Sequence, residues 1–326
     1  MHHDRLASQL IVAIRGRRSQ TALSRRLGCR SNVVYTWEAG RRFPTAAVFF
    51  RLAQLVRIDV GERIGRFLGR LPDHLVGRDW SDPQTTAELL CHLREGATLI
   101  ELADKLGTNR VSVGRWLKGE AQPRLPDLLR LIEVTSLRLL DFVDLFAPPS
   151  SLPEAREPWG VLEAQRRVAY NLPWSHAVMR VLELSDYRDH PAPDDAFIAA
   201  RLGISRAQTR ECLDALLLSR LIEKRGAHWA ATQVLAVDTR RNPEGGRALK
   251  AHWARVGLER LPDLEPGGQD FFSYNLFTVS EQDWERLREL HISYYNELRR
   301  IVQGSEPAER VALVNAQLMR LDAASD

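Results

Sequence analysis

Residues 20–44 read Gln20-Thr21-Ala22-Leu23-Ser24-Arg25-Arg26-Leu27-Gly28-Cys29-Arg30-Ser31-Asn32-Val33-Val34-Tyr35-Thr36-Trp37-Glu38-Ala39-Gly40-Arg41-Arg42-Phe43-Pro44. The pattern predicts one helix from about Ser19-Gln20 to Gly28, where a backbone turning to positive φ favours glycine. A second helix is expected from Ser31, with Ser31 or Arg30 near its cap, to about Glu38; Gly40 ends it and Pro44 opens the next element. Upstream, Leu6, Leu10, Ile11 and Ile14 share one helical face. Two short helices around a glycine turn form a helix-turn-helix.

With Gln20, Leu23, the small Ser24 at the turn, Gly28, Val34, Trp37, Glu38, Gly40 and Pro44 in register, residues 5–60 resemble the Cro/CI-type (XRE-family) helix-turn-helix of phage repressors and their bacterial relatives. The resemblance implies a second helix lying in the major groove, its N-terminal residues against base edges. Carried over by position, Arg30, Ser31, Asn32 and Thr36 become base readers. Arginine can read guanine and asparagine adenine, each through two hydrogen bonds. Gln20 would anchor a phosphate, as would Arg41 and Arg42 after the second helix. Asn32 also suits a helix cap.

Charge supports the same segment. The 326 residues hold 46 Lys+Arg against 42 Asp+Glu, a formal +4. Residues 1–70 alone carry 14 basic and 4 acidic side chains, whereas 71–150 carry 9 and 12. A concentrated basic module favours a polyanion through phosphate neutralisation and counterion release.

An offset of 79 residues pairs Leu23/Leu102, Leu27/Leu106, Gly28/Gly107, Val34/Val113, Trp37/Trp116, Gly40/Gly119, Pro44/Pro123, Arg51/Arg130 and Leu52/Leu131. A second, diverged helix-turn-helix is therefore expected over about 84–146. Its reader positions hold Asn109, Arg110, Val111 and Arg115, giving Asn109, Arg110 and Arg115 as a second candidate contact set. Leu99 replaces Gln20, and Glu120-Ala121 replace Arg41-Arg42. This copy either reads an adjacent half-site or has turned to packing or dimerisation.

Residues 147–158 hold four prolines in twelve positions and read as a semi-rigid linker. Beyond it, helices from Trp174, from Asp194-Asp195 to Leu202 and from Ser205, followed by two short strands meeting at Arg225-Gly226, read as a winged helix. Arg206, Gln208, Thr209 and Arg210 would lie on its reading helix, and Lys224 and Arg225 on its wing. A winged-helix scaffold used for protein contact fits the pattern as well. A helix over 244–261, a strand over Phe271–Val279, a Ser280-capped helix to about Val302 with Trp284, Leu287, Leu290, Ile292, Tyr294 and Leu298 mostly inward, and a final strand over Arg310–Leu321 complete the expectation; helix is an alternative for that last segment. Aromatics such as Trp253, Phe272, Tyr274, Trp284, Tyr294 and Tyr295 are expected in the core.

Leu172-Pro173-Trp174-Ser175, Ser273 to Ser280 and Val314-Asn315-Ala316-Gln317-Leu318 give residues 160–321 a resemblance to a bacterial family that joins an N-terminal Cro/CI-type helix-turn-helix to a C-terminal domain of unknown function. The resemblance implies a transcription regulator. The tandem N-terminal copies depart from the usual single one, so that family's DNA geometry need not transfer.

The expected chain is mainly α: a Cro/CI-type domain over 1–70, a diverged one over 71–146, the linker over 147–158, a winged helix over 159–240 and a small α+β domain for sensing or dimerisation over 241–326. No phosphate-binding glycine loop, HExxH or GxSxG occurs. Cys29, Cys91 and Cys212 form no CxxC pair, which disfavours a disulfide framework or zinc knuckle. No catalysis, metal or cofactor is expected. No apolar run approaches the roughly 20 residues that span a bilayer, and no signal peptide is read, so a cytoplasmic, nucleoid-associated protein without membrane contact is expected. The expected function is a double-stranded-DNA-binding regulator, a homodimeric repressor acting by operator occupancy, with a protein or small-molecule effector on the C-terminal half. The alternative is an antitoxin-like or adaptor protein that binds a protein partner.

Overall fold

The structure, a computed structural model, describes residues 1–94, 97–232, 242–265, 268–303 and 305–322. Among these residues it is 62% helical, with seventeen α-helices and one two-stranded sheet. The chain divides into two units, Met1–Leu162 and Glu163–Asp326.

Unit 1 opens with α1 (His3–Arg15), α2 (Gln20–Arg26), α3 (Val33–Glu38), α4 (Ala46–Leu55) and α5 (Val60–Leu68). The order repeats in α6 (Pro83–Leu93), α7 (Leu99–Leu106), α8 (Arg110–Leu117), α9 (Leu125–Ser136) and α10 (Leu139–Asp144). Shifted by 79 residues, the starts of α2 and α7, of α4 and α9, and of α5 and α10 coincide. Gly28 and Gly107, and Gly40 and Gly119, all take positive φ, where a Cβ would strain the turn. Side-chain caps mark equivalent helix starts: Ser19 accepts from the Ala22 amide and Thr98 from the Glu101 amide, the latter closing a capping box.

The two five-helix copies share one core. Leu6, Leu10, Ile11 and Ile14 of α1 are buried, and α1 packs on α9 as well as on α3. Reciprocally, α6 packs on α4. At the centre the Leu125 amide donates to the Pro44 carbonyl (2.9 Å) and the Ala46 amide to the Pro123 carbonyl (3.0 Å). Aromatic rings cross the same boundary: Phe49 meets Phe146 at 4.9 Å between centroids, and Phe67 meets Phe142 at 5.7 Å, both edge-on. Pairs of this kind add about 0.5–1.5 kcal/mol each beyond their burial. The reading of 1–70 and 71–146 as separate domains is corrected accordingly: both lie in one compact unit with one core, in which α1 packs on α9 and α6 on α4 as well as on helices of their own copies.

The linker reading of 147–158 is corrected as well. Pro149–Ser151 form a 3-10 turn, and α11 (Pro153–Asn171) starts at Pro153 and continues through Pro158. Pro153 stands where a helix has no N–H partner to lose. Leu152 and Ala155 are buried in the unit 1 core. The Glu154 amide donates to Gln9 Oε1 (2.9 Å) and its carboxylate accepts from the His2 amide (2.7 Å), which ties the segment to α1.

In unit 2 the last turns of α11 bury Val168 and Ala169 with α12 (Trp174–Val181), α13 (Ser185–Asp189), α14 (Asp195–Leu202) and α15 (Arg206–Leu218). Strands β1 (Ile222–Arg225) and β2 (His228–Ala231) pair antiparallel, Ile222 opposite Ala231 and Arg225 opposite His228. Gly226, at φ 62°, turns the two-residue loop. Four helices and a hairpin thus surround Tyr187, Ile198, Leu216 and Leu221. Then come α16 (Pro243–Arg260) and α17 (Glu281–Gln303). The 240/241 boundary lies outside the described residues.

The two further strands are not formed. Residues 271–279 and 310–321 carry no strand or helix, because neither meets a partner ladder. The expected α+β close is instead α16, α17 and non-regular chain. Phe271 and Tyr274 are each 92% exposed, and Phe272, Leu290 and Tyr294 are also exposed, against the inward placement expected for the last four. Trp253 does pack, its ring 5.3 Å from Trp174.

A fragment of residues 1–70 is expected to unfold without a cooperative transition, whereas 1–162 should show a single one in urea followed by circular dichroism. Phe142→Ala should lower the stability of that transition by about 3–5 kcal/mol.

Candidate functional site

The turn between α2 and α3 of the first copy is held by Ser24, 1% exposed. Its hydroxyl donates to the Gln20 carbonyl (2.9 Å), accepts from the Val34 amide (3.2 Å), and lies 3.2 Å from Asn32 Oδ1. One small side chain thus joins α2 to the start of α3, and a larger one would force them apart. Val34 and Trp37 are buried beneath.

The turn departs from the expected helix start. Asn32, rather than Ser31 or Arg30, caps α3, its Oδ1 accepting from the Tyr35 amide (3.2 Å). Arg30 and Ser31 are exposed in the turn ahead of the helix, and Asn32 is half-buried at the cap. Thr36, also half-buried, turns its hydroxyl back onto the Val33 carbonyl (2.7 Å). Arg41 and Arg42 are exposed after α3, Arg41 with its guanidinium 5.6 Å from the Tyr35 ring centre.

Gln20, the expected phosphate anchor, has a partner within the protein. Its amide donates to Glu38, whose carboxylate also accepts from Arg15 Nε (2.5 Å). The Glu38 side chain is 9% exposed, so the acid of α3 is engaged and turned inward. In the same stretch of sequence Arg17, Arg18, Arg25, Arg26, Arg30, Arg41 and Arg42 are exposed. Sequence reasoning missed Arg17, Arg18, Arg25, Arg26 and Tyr35. Their signal was the spacing itself: none falls on the face that buries Leu23, Val34 and Trp37.

In the second copy Asn109 caps α8, accepting from the Ser112 amide (2.8 Å). The helix therefore begins two positions earlier than α3 when shifted by 79 residues. Asn109, Arg110, Val111 and Arg115 are exposed. Arg115 faces Glu120 across 4.0 Å, both well exposed, a pairing of little strength in water.

The winged-helix set is engaged within its own unit. Arg206 bonds Asp195 at 2.5 Å and lies 3.5 Å from Asp194, while Arg210 reaches the other oxygen of Asp195. The hydrogen bond from Arg206, followed by that from Arg210, holds the Asp195 carboxyl below the ordinary carboxylate range. Gln208 closes the capping box with Ser205, and the Thr209 hydroxyl donates to the Ser205 carbonyl. On the wing, Arg225 pairs with Glu223 at 2.6 Å and the Lys224 ammonium sits 5.7 Å from the Trp229 ring centre.

Among the described residues no group of His, Cys, Asp and Glu is placed to hold a metal ion, and no helix is long and apolar enough to cross a membrane. Cys91 is exposed, Cys29 half-buried and Cys212 buried, the last with its thiol pushed up to about 11 by burial.

Asn32→Ala should cost about 1 kcal/mol of unit 1 stability in urea unfolding, whereas Asn32→Ser, which can still cap, should stay within a few tenths. Equal losses from both would remove the cap from the account.

No curated protein matches the chain, and no solved structure does. The model of one family, described as a domain of unknown function (DUF4423), matches residues 154–321, just over half of the sequence. The match begins in α11 and takes in α12 to α15, the hairpin, α16, α17 and the non-regular close. The chain belongs to the DUF4423 family.

Proposed function

We propose that this chain is a sequence-specific double-stranded-DNA-binding transcription regulator that acts by occupying an operator, with unit 1 as the reader. The observation that carries the reading is the electrostatics of the α2–α3 surface. Seven arginines between positions 17 and 42, before, within and after the two helices, are exposed, while Glu38, the one acid in that stretch, is turned inward onto Arg15 and Gln20. Such a surface neutralises phosphates on either side of a helix inserted in the major groove. Arg30, Ser31 and Asn32 stand at the tip of that helix, with Tyr35 and Thr36 one turn on.

Unit 2 serves a different role in this reading. Arg206 and Arg210 are held by Asp195 and Asp194, so phosphate contact there would first break those pairs. The unit acts as the sensing or self-association half. The exposed apolar side chains of Phe271, Tyr274 and Leu276 support self-association through the family domain. Sedimentation should then show a concentration-dependent dimer that Tyr274→Ser weakens.

Selection from a random duplex library by the full-length protein, at two salt concentrations, tests the reading. An enriched motif is expected. Arg42→Ala should weaken binding to all duplexes alike and lower the salt slope by about 1, whereas Asn32→Ser should relax preference at one base pair at a cost of roughly 1–3 kcal/mol. Arg206→Ala should leave binding unchanged. Weak, salt-sensitive binding without a motif would overturn the proposal and favour the protein-partner alternative.

A further inference from the structure

The contacts between the two copies are reciprocal. The Leu125 amide bonds the Pro44 carbonyl, and the Ala46 amide bonds the Pro123 carbonyl; 44 and 46 are the positions equivalent to 123 and 125. Thr45 and Arg124, themselves equivalent, form the antiparallel bridge at the centre. The same exchange holds further out: α1 packs on α9 as α6 packs on α4, and α4 meets α9, its own equivalent. At the periphery each copy also donates to the other, although these two bonds are not equivalents of one another: Arg138, just before α10, donates to the Phe67 carbonyl of α5 (2.7 Å), and Arg63 of α5 donates to the Leu145 carbonyl just after α10. A contact in which residue i meets j and the equivalent of j meets the equivalent of i defines an isologous, two-fold relation; a head-to-tail repeat cannot produce it.

From this geometry we infer that unit 1 is a two-fold dimer built into one chain, and that α3 and α8 read the two arms of a single inverted-repeat duplex site. The inference rests on the DNA-binding reading above and extends it to the second copy. Duplex DNA carries two-fold symmetry of its own, so reading helices related by a two-fold axis meet arms of opposite sense. The shared core fixes the separation of α3 and α8, and therefore the spacing of the arms. The arms differ in sequence, because Arg30, Ser31, Asn32 and Thr36 face one while Asn109, Arg110, Val111 and Arg115 face the other. The second arm is also held less strongly: Glu120 and Ala121 stand where Arg41 and Arg42 do in the first copy, although Lys105 keeps the cation of Arg26.

The test uses the full-length protein and the motif enriched from a random duplex library. The expected motif is an imperfect inverted repeat of one spacing. With duplex in excess, native mass spectrometry should find as many duplexes as chains in the complex. Replacing the second arm or inserting five base pairs between the arms should each weaken binding roughly tenfold or more, on the scale of lost base contacts. Arg110→Ala with Arg115→Ala should abolish preference at the second arm and leave preference at the first intact. A one-arm motif, a direct repeat, tolerance of the insertion, or two chains needed per duplex would overturn the inference and leave the DNA-binding reading standing. A library that yields no motif would overturn both.

Discussion

The interaction on which unit 1 depends is the exchange of backbone hydrogen bonds between residues 44–46 and 123–125. Each segment enters an apolar helix, α4 or α9, and each would otherwise leave its amide and carbonyl groups without partners beside a dry core. Their pairing places α4 and α9 side by side and allows each first helix to cover the opposite copy. A five-helix copy of about 70 residues alone would bury a smaller share of its surface than a body twice that length. Duplication makes a single larger core, with Phe49, Phe67, Phe142 and Phe146 at the boundary.

That arrangement leaves the turns between α2 and α3 and between α7 and α8 free of packing duty on their outer faces. The first is surrounded by arginines whose neighbouring acid is engaged inward. The second has lost part of that charge while keeping its framework. In unit 2 the balance is reversed: the cations on α15 are matched by the acids that open α14. The helix pairs α2–α3, α7–α8 and α14–α15 thus differ in which acids are within reach of their arginines.

Much of the framework was legible in the sequence. Gly28, Gly40 and Pro44, repeated 79 residues later, mark turns whose backbone demands those residues, and Ser19, Asp194 and Ser205 mark helix starts by their cap chemistry. Helical periodicity shows which face of α1 is apolar, but it is silent on what covers that face, so the shared core was not legible. The prolines of 147–158 read as a linker because proline disfavours helix interiors; the position of Pro153 at a helix start, docked through Gln9 and His2, depends on tertiary contacts. The strands expected at 271–279 and 310–321 had β-favouring residues, but a strand needs a neighbour, and composition does not supply one. Within the site, Asn32 was read as a base contact and as a cap, and local sequence could not separate the two because one amide suits both. The bond of Gln20 to Glu38 was not legible because its partner lies a helix away.

Amide hydrogen exchange at Ala46 and Leu125, read residue by residue across unit 1, tests the shared core most directly. If the copies form one cooperative body, both amides should exchange only through the opening that also exposes α1 and α9, with matching free energies. Exchange of Leu125 and α9 through an opening that leaves Ala46, α1 and α4 protected would show two independent domains and contradict the account.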